Sequence, residues 1–326
     1  MKIKNNISIV IPILNESEAI PNLLERLKIT MTENFKNNFE VILVNDGSND
    51  TSEKILEKYE KELSWLKVIN LARNYGQSTA LQAGFDASNG KIIVTMDGDL
   101  QNDPSDIPKL VSILNENEHI DLVSGWRHVR NDATISRKLP SKIANFLISY
   151  ITGVKLHDYG CSLKAYRSNL IGKFRLYGEM HRFIPAIAAE VGARITEIPV
   201  KHHPRKTGKS KYGIDRTGRV LLDLIWIQFS RKFMHRPIHA FGGVGLIMLS
   251  SGLFIFILLF VEKFFFGQEI GGRPLMTLGL LLTLLGTQLL AVGLIGELLI
   301  RIYHEPSGRK QYQIKEDTIN IDKNQI

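Results

Sequence analysis

The sequence predicts an α/β protein: a mainly parallel sheet domain, followed by interfacial amphipathic helices and a two-helix transmembrane hairpin. Three observations carry this. Over the first hundred residues short apolar runs alternate with helical segments of about a dozen residues, the pattern of βαβ units covered on both faces. Further on, Phe241 to Val261 and Leu275 to Gly296 hold no charged residue. Between these regions the cations crowd together, with ten Lys/Arg against two acids from Lys201 to Arg236, within a chain of net charge +8.

The elements follow in order. ISIVIPI (7–13) is a strand, and SEAIPNLLERLKIT (17–30) a helix with Ser17 as its cap. FEVILVN (39–45) and LKVINL (66–71) are strands, separated by the helix TSEKILEKYEKEL (51–63). GQSTALQAGFDAS (76–88) is a helix, and KIIVTMD (91–97) the fourth strand. Later segments are less regular: IDLVSGWR (120–127) and ARITEIPVKHH (193–203) read as strands, and SRKLPSKIANFLISYITG (136–153) as a helix. The mixed apolar and basic stretch 216–233 suits a helix lying in a membrane interface, with Trp226 and Phe229 as anchors. Spans at about 241–261 and 275–298 would each reach roughly 30 Å, enough to cross a hydrocarbon core.

Charge sets orientation. Arg231, Lys232 and Arg236 precede the first span and Arg301, Arg309 and Lys310 follow the second, whereas the connecting loop has no excess of cations. The positive-inside rule puts both termini in the cytoplasm, in the cell membrane. The N-terminus lacks the long apolar core of a secretory leader. The one cysteine, Cys161, excludes an intrachain disulfide and reads as a packing residue. Basic residues beside a span point to anionic lipid or a phosphorylated ligand rather than nucleic acid. Glycines in the spans permit self-association into a homo-oligomer.

Ligands of a parallel sheet bind beyond the carboxyl ends of its strands. The four loops there are PILNES, NDGSNDT, LARNYG and MDGDLQ, and all are polar. No G-x-G-x-x-G follows a strand, and TGKS (207–210) lacks the first glycine of a P-loop, since His203 stands there. In MDGDLQ, residues two apart on an extended chain face the same way, so Asp97 and Asp99 converge, with Gln101 next in register. Two close carboxylates repel unless a cation joins them. Mg²⁺ or Mn²⁺, hard and completed by substrate phosphates, suits the pair. A solvated turn is the plain alternative. Asp46, after the second strand, is placed to accept hydrogen bonds from a base or ribose, with Asn15 and Glu16 nearby. His202 and His203 read as a solvated strand end, and His181 with Arg182 as packing or substrate contact.

The ordered set VIPILNE, VNDGSNDTS, LARNYGQSTAL and MDGDLQNDP resembles the inverting GT-A (Rossmann-like) glycosyltransferases of family 2. SGWR, SRKLPSKIANFL, LHDYGCSLKAYR, MHRFIP and RKTGKSKYG, with two spans behind them, narrow the likeness to bacterial polyisoprenyl-phosphate glycosyltransferases, relatives of dolichyl-phosphate mannose synthase. The processive synthases of that superfamily carry Q-x-x-R-W; here Gln228 is followed by Phe-Ser-Arg231-Lys232, without the tryptophan.

The resemblance implies a catalytic domain over 1–205, a juxtamembrane region over 206–236, the hairpin over 237–302 and a cytoplasmic tail over 303–326. It implies a divalent metal on Asp97, Asp99 and Gln101, and a nucleotide sugar, UDP-glucose by family frequency, on Pro12, Glu16, Asp46, Arg73, Gln77 and Asp97. Arg127, Arg137 and Ser141 would hold the phosphate of a polyprenyl acceptor, with Arg205, Lys209 and Ser210 closing over the phosphates. Asp158 would join Arg127 and Arg137 in catalysis, as a base or as an orienter of Arg or the sugar hydroxyls. The orienting role is favoured because a phosphate monoester with a second pKa of about 6 needs no base.

Overall fold

The computed structural model describes residues 6–36, 38–128, 148–149, 153–176, 178–204 and 237–304. The chain divides into two compact units, Met1–Leu224 and Ile225–Ile326.

In the first unit, strands β1 (Ile7–Ile13), β2 (Phe39–Asn45), β3 (Leu66–Asn70) and β4 (Ile92–Thr95) alternate with helices α1 (Ile20–Phe35), α2 (Ser52–Glu62) and α3 (Gln77–Ala87). Then follow a 3-10 turn (Pro104–Asp106), α4 (Ile107–Glu116), β5 (Leu122–Trp126), β6 (Lys164–Arg167) and α5 (Ser168–Ile171). A second 3-10 turn (Met180–Arg182), α6 (Ile184–Glu190) and β7 (Ile195–Pro199) complete the unit's described elements. The sheet runs β3-β2-β1-β4-β6-β5-β7. All pairings are parallel except those of β6, which lies antiparallel to β4 and β5.

Both faces of the sheet are covered, which explains the unbroken apolar runs. Ile9 and Ile11 of β1 join α1 and α4 residues such as Leu23, Leu27 and Leu110, whereas Val10 faces Leu81 and Phe85 of α3. Sequence and structure differ at several edges. Helix α1 begins at Ile20, and Ala19, not Ser17, is its N-cap; Pro21 supplies the pre-set first turn. The Ser17 N–H instead donates to Asp50 Oδ2 at 3.3 Å. Strand β4 stops at Thr95, short of Asp97: its ladders to β1 and β6 both end there, and the chain bends over 98–100, with Leu100 at φ 62°. Strand β6 interrupts the parallel order and has no counterpart in the sequence reading.

The second unit is a pair of helices, α7 (Pro237–Phe266) and α8 (Pro274–His304). Both are long and apolar enough to cross a membrane. They meet at glycines: a Cβ on Gly252 would lie 2.4 Å from Thr283 Oγ1, and one on Gly286 2.5 Å from Leu249 N. Small residues thus let the backbones touch, while Phe254, Leu258, Leu281 and Leu284 stay exposed. Near the connecting turn Arg273 Nη1 pairs with Glu262 Oε2 at 2.6 Å. The expected helices at 136–153 and 216–233 fall wholly or almost wholly outside the described residues.

Candidate active site

Parallel pairing brings the carboxyl ends of β1, β2 and β4 to one edge, and the polar loops are knitted together there. After β1, the Asn15 N–H donates to Ser48 Oγ (2.9 Å), Asn15 Oδ1 accepts from Asn49 N (2.8 Å), and the Glu16 N–H donates to Ser52 Oγ (3.2 Å). Pro12, half-buried in β1, stands opposite Val44. Asp46 is buried, and its two carboxylate oxygens accept the backbone N–H groups of Tyr75 (2.7 Å) and Gly76 (2.9 Å). Its first task is therefore to tie the NDG turn to the RNYG loop, although each oxygen keeps a lone pair for a ligand. Gly47 makes this approach feasible: at φ 67°, a Cβ there would lie 2.4 Å from the Arg73 carbonyl carbon. The Arg73 guanidinium rests 4.8 Å from the Tyr75 ring centre.

The three aspartates of MDGDLQNDP separate into two kinds. Asp97, Asp99 and Gln101 are half-buried, and Gly98, Leu100 and Asn102, which alternate with them, are buried. Asp97 Oδ1 accepts from Gln77 Nε2 at 2.8 Å, and Asp99 Oδ1 from the Gln101 N–H at 3.1 Å. Among the described residues no three His, Cys, Asp or Glu side chains form a complete protein cage for a metal. Two half-buried hard carboxylates and an amide within one turn instead suit a cation completed by ligand oxygens. Asp103 caps the turn after them, accepting from the Ser105 N–H at 3.0 Å, and meets Arg26 Nη2 at 3.0 Å and His203 Nε2 at 2.8 Å. Burial would raise its pKa, but His203, Ser105 and the Arg26 charge outweigh this and hold it down to about 2. His203 is thus a structural partner, not a solvated strand end.

On the other side, Arg127 and Asp158 form a fork-to-fork pair, Nε to Oδ2 at 2.6 Å and Nη2 to Oδ1 at 2.8 Å. Asp158 is 2% exposed and also accepts from the Gly160 N–H (3.1 Å). Burial alone would favour the neutral guanidine; Asp158's hydrogen bond and charge more than reverse that, so Arg127 stays protonated. Lys164 lies beneath, wholly buried, its Nζ donating to the carbonyls of Tyr159 (3.4 Å) and Cys161. Burial pushes the Cys161 thiol up, in keeping with a packing role. His181 packs on the first turn of α3: its N–H donates to Ser78 Oγ at 3.1 Å and its Nδ1 lies 2.9 Å from that oxygen.

The structure thus gathers Asp97, Asp99, Gln101, Gln77, Asp46, Arg73, Pro12 and Glu16 around three strand ends, and locks Arg127 to Asp158. Arg137, Ser141, Arg205, Lys209 and Ser210 lie outside the described residues. Sequence reasoning missed Asn102, Ser162 and Lys164. Only Lys164 carried a signal, as a cation within an otherwise apolar run, SLKAY.

A mainly parallel sheet with an acidic D-x-D turn at its central edge and a polar loop after each neighbouring strand defines a GT-A glycosyltransferase. The chain belongs to glycosyl transferase family 2, whose profile matches residues 8–175. It is 45% identical to a dodecaprenyl-phosphate galacturonate synthase of Rhizobium johnstonii, over 95% of this chain and 92% of that one. It is 37% identical to an undecaprenyl-phosphate 4-deoxy-4-formamido-L-arabinose transferase of Proteus mirabilis, over 96% and 94% of the two chains. Among solved structures, glucosyl-3-phosphoglycerate synthase from Mycobacterium tuberculosis, in complex with Mn²⁺, uridine diphosphate and phosphoglyceric acid, shares the fold. Its TM-score is 0.54, at 20% identity over 70% of this chain and 78% of that one.

Proposed function

We propose that this enzyme moves a sugar from a nucleoside diphosphate donor to the phosphate of a polyprenyl lipid, inverting the anomeric carbon. The observation that carries the reading is the pairing of the half-open Asp97–Asp99–Gln101 turn with an arginine locked in place by Asp158. Full-length similarity to two relatives named for polyprenyl-phosphate products supports the acceptor.

In this reading Asp97, Asp99 and Gln101 hold Mg²⁺ or Mn²⁺, which when bound neutralises the departing diphosphate. Gln77 fixes the Asp97 carboxylate, and Asp46 shapes the nucleotide pocket by drawing the RNYG loop inwards. The lipid phosphate, with a second pKa of about 6, arrives deprotonated and attacks unaided. Arg127 orients it, with Arg137, Ser141, Arg205, Lys209 and Ser210 as further phosphate ligands. Asp158, buried and engaged by Nε and Nη2 of the Arg127 guanidinium, acts as the orienter of Arg127 rather than as a base.

The organisation follows. In this reading the catalytic domain covers 1–205, a juxtamembrane region 206–236, the membrane anchor 237–302 and a tail 303–326, with 205–236 and 305–326 outside the described residues. A polyprenyl chain leaves the bilayer only at great cost, so anchoring keeps the site at the head-group plane. The cations flanking both spans support a cytoplasmic catalytic domain and cytoplasmic termini.

Incubating the membrane-embedded protein with undecaprenyl phosphate and labelled donors tests this. The panel is UDP-glucose, UDP-galacturonate and UDP-linked formamido-arabinose, with the last two sugars, though not their nucleotide, taken from the relatives' names. The expected result is one labelled lipid per nucleoside diphosphate released. Release of nucleoside monophosphate or pyrophosphate, or no labelled lipid from any donor, contradicts the proposal.

A further inference from the structure

We infer that Asn102 is a positioning residue that sets the Asp97 turn against the segment carrying Asp158, so that the donor and acceptor halves of the site keep a fixed spacing. This rests on the transferase reading above.

Asn102 is 2% exposed, and its Oδ1 accepts two hydrogen bonds at once. One comes from the Asp97 N–H at 3.3 Å, the other from Ser162 Oγ, 60 residues away, at 2.7 Å. Its backbone forms an isolated antiparallel bridge with His202. One residue therefore touches the Asp97 turn and the 158–164 segment through its side chain and the segment that follows β7 through its backbone.

Ser162 is itself fixed. Its carbonyl accepts from Oγ1 of Thr95, the last residue of β4, at 2.8 Å. Four residues earlier Asp158 grips Arg127, and two residues later Lys164 pins the intervening carbonyls from inside the protein. The path from the Asp97 backbone to the Arg127 guanidinium thus runs Asp97, Asn102, Ser162, the 158–161 turn, Asp158, Arg127, with a hydrogen bond or a few bonds of chain at each step. An amide oxygen is the right group at the junction. It accepts twice through its two lone pairs, and it adds no negative charge beside Asp97, Asp99 and Asp103.

Losing the junction leaves a part-buried N–H and a part-buried hydroxyl without their shared acceptor, and the two loops relax apart. A displacement of about 1 Å in such a site costs roughly 10²-fold in rate. A merely structural Asn102 would lower stability and leave the rate of the folded enzyme alone.

The test uses the full-length protein in lipid nanodiscs, with Asn102→Ala, Ser162→Ala, Ser162→Thr and the double alanine variant. Measured for each are kcat and KM for transfer, Tm, and affinity for uridine diphosphate in Mn²⁺ by calorimetry. Each alanine variant is expected to lose roughly 10²-fold in kcat with KM values within about three-fold of wild type. The double variant is expected to lose little more than either single one, because both sever the same link. Ser162→Thr, which keeps the hydroxyl, recovers most of the rate. Should Asn102→Ala fail to fold, Ser162→Ala and Ser162→Thr read the same contact from its other end. Alanine variants that keep wild-type kcat, or losses that multiply in the double variant, overturn the inference alone. A wild type that binds Mn²⁺ and uridine diphosphate yet makes no lipid-linked sugar overturns the functional reading, and this inference with it.

Discussion

The two ends of the segment Asp97–Asp106 use the same residue for opposite purposes. At the first end, Asp97 and Asp99 are half open, and the hydrogen bonds to their Oδ1 atoms come from a neutral side-chain amide and a backbone N–H. At the second end Asp103 is buried against Arg26 and His203, and Asp106 Oδ2 accepts the Lys201 N–H at 2.6 Å. Asp103, matched by Arg26 and His203, holds elements together; in the proposed reading the half-open Asp97 and Asp99 take a cation together with the donor. That reading separates activity from stability along ten residues of chain, and it can be broken by mutation.

The largest effect is expected at the open end. Asp97→Asn or Asp99→Asn should cut transfer about 10³-fold, the several kcal/mol that a bound metal contributes. Tm should hold or rise, because removing one of two adjacent like charges relieves repulsion. Next comes Arg127→Met, which takes the bidentate guanidinium away from buried Asp158; a loss of about 3–5 kcal/mol in unfolding free energy is expected by denaturant titration. Arg127→Lys should recover little, since an ammonium cannot reproduce the fork.

At the closed end the expected effect is smaller and depends on pH. Asp103 has a folded pKa of about 2 against an ordinary value of 3.8, so its contribution is fully present above that ordinary value and is lost as pH falls towards 2. Asp103→Asn should therefore cost about 2 kcal/mol at neutral pH, and the gap from wild type should close on acidification from about pH 4 to 2, followed by thermal melts. The smallest effect concerns Cys161: buried and with its thiol pushed up, it should resist iodoacetamide while folded and react once unfolded, read by mass spectrometry.

What the sequence disclosed follows from range. Strands β1 and β2 were legible to the residue because both faces are apolar and local pattern alone marks them. The D-x-D turn was legible because its geometry is set within five residues. Strand β6 was not: four residues long, with buried Lys164 and half-buried Arg167 in it, it takes its place only by wedging between β4 and β5. Nor could local pattern reveal that Asp46 is engaged by Tyr75 and Gly76, that Asp103 pairs with Arg26 and His203, or that Asp158 clasps Arg127 across 31 residues. Each of these depends on which strand ends become neighbours, and that is decided by the order of the sheet.

Calorimetric titration of uridine diphosphate into wild type and Asp97→Asn/Asp99→Asn, with Mn²⁺ and with chelator, bears most directly on the central claim that the open aspartates recruit a cation for the donor's diphosphate. Tight binding is predicted only for wild type with Mn²⁺, with the double variant indifferent to the metal. Equal affinity in all four titrations would contradict it.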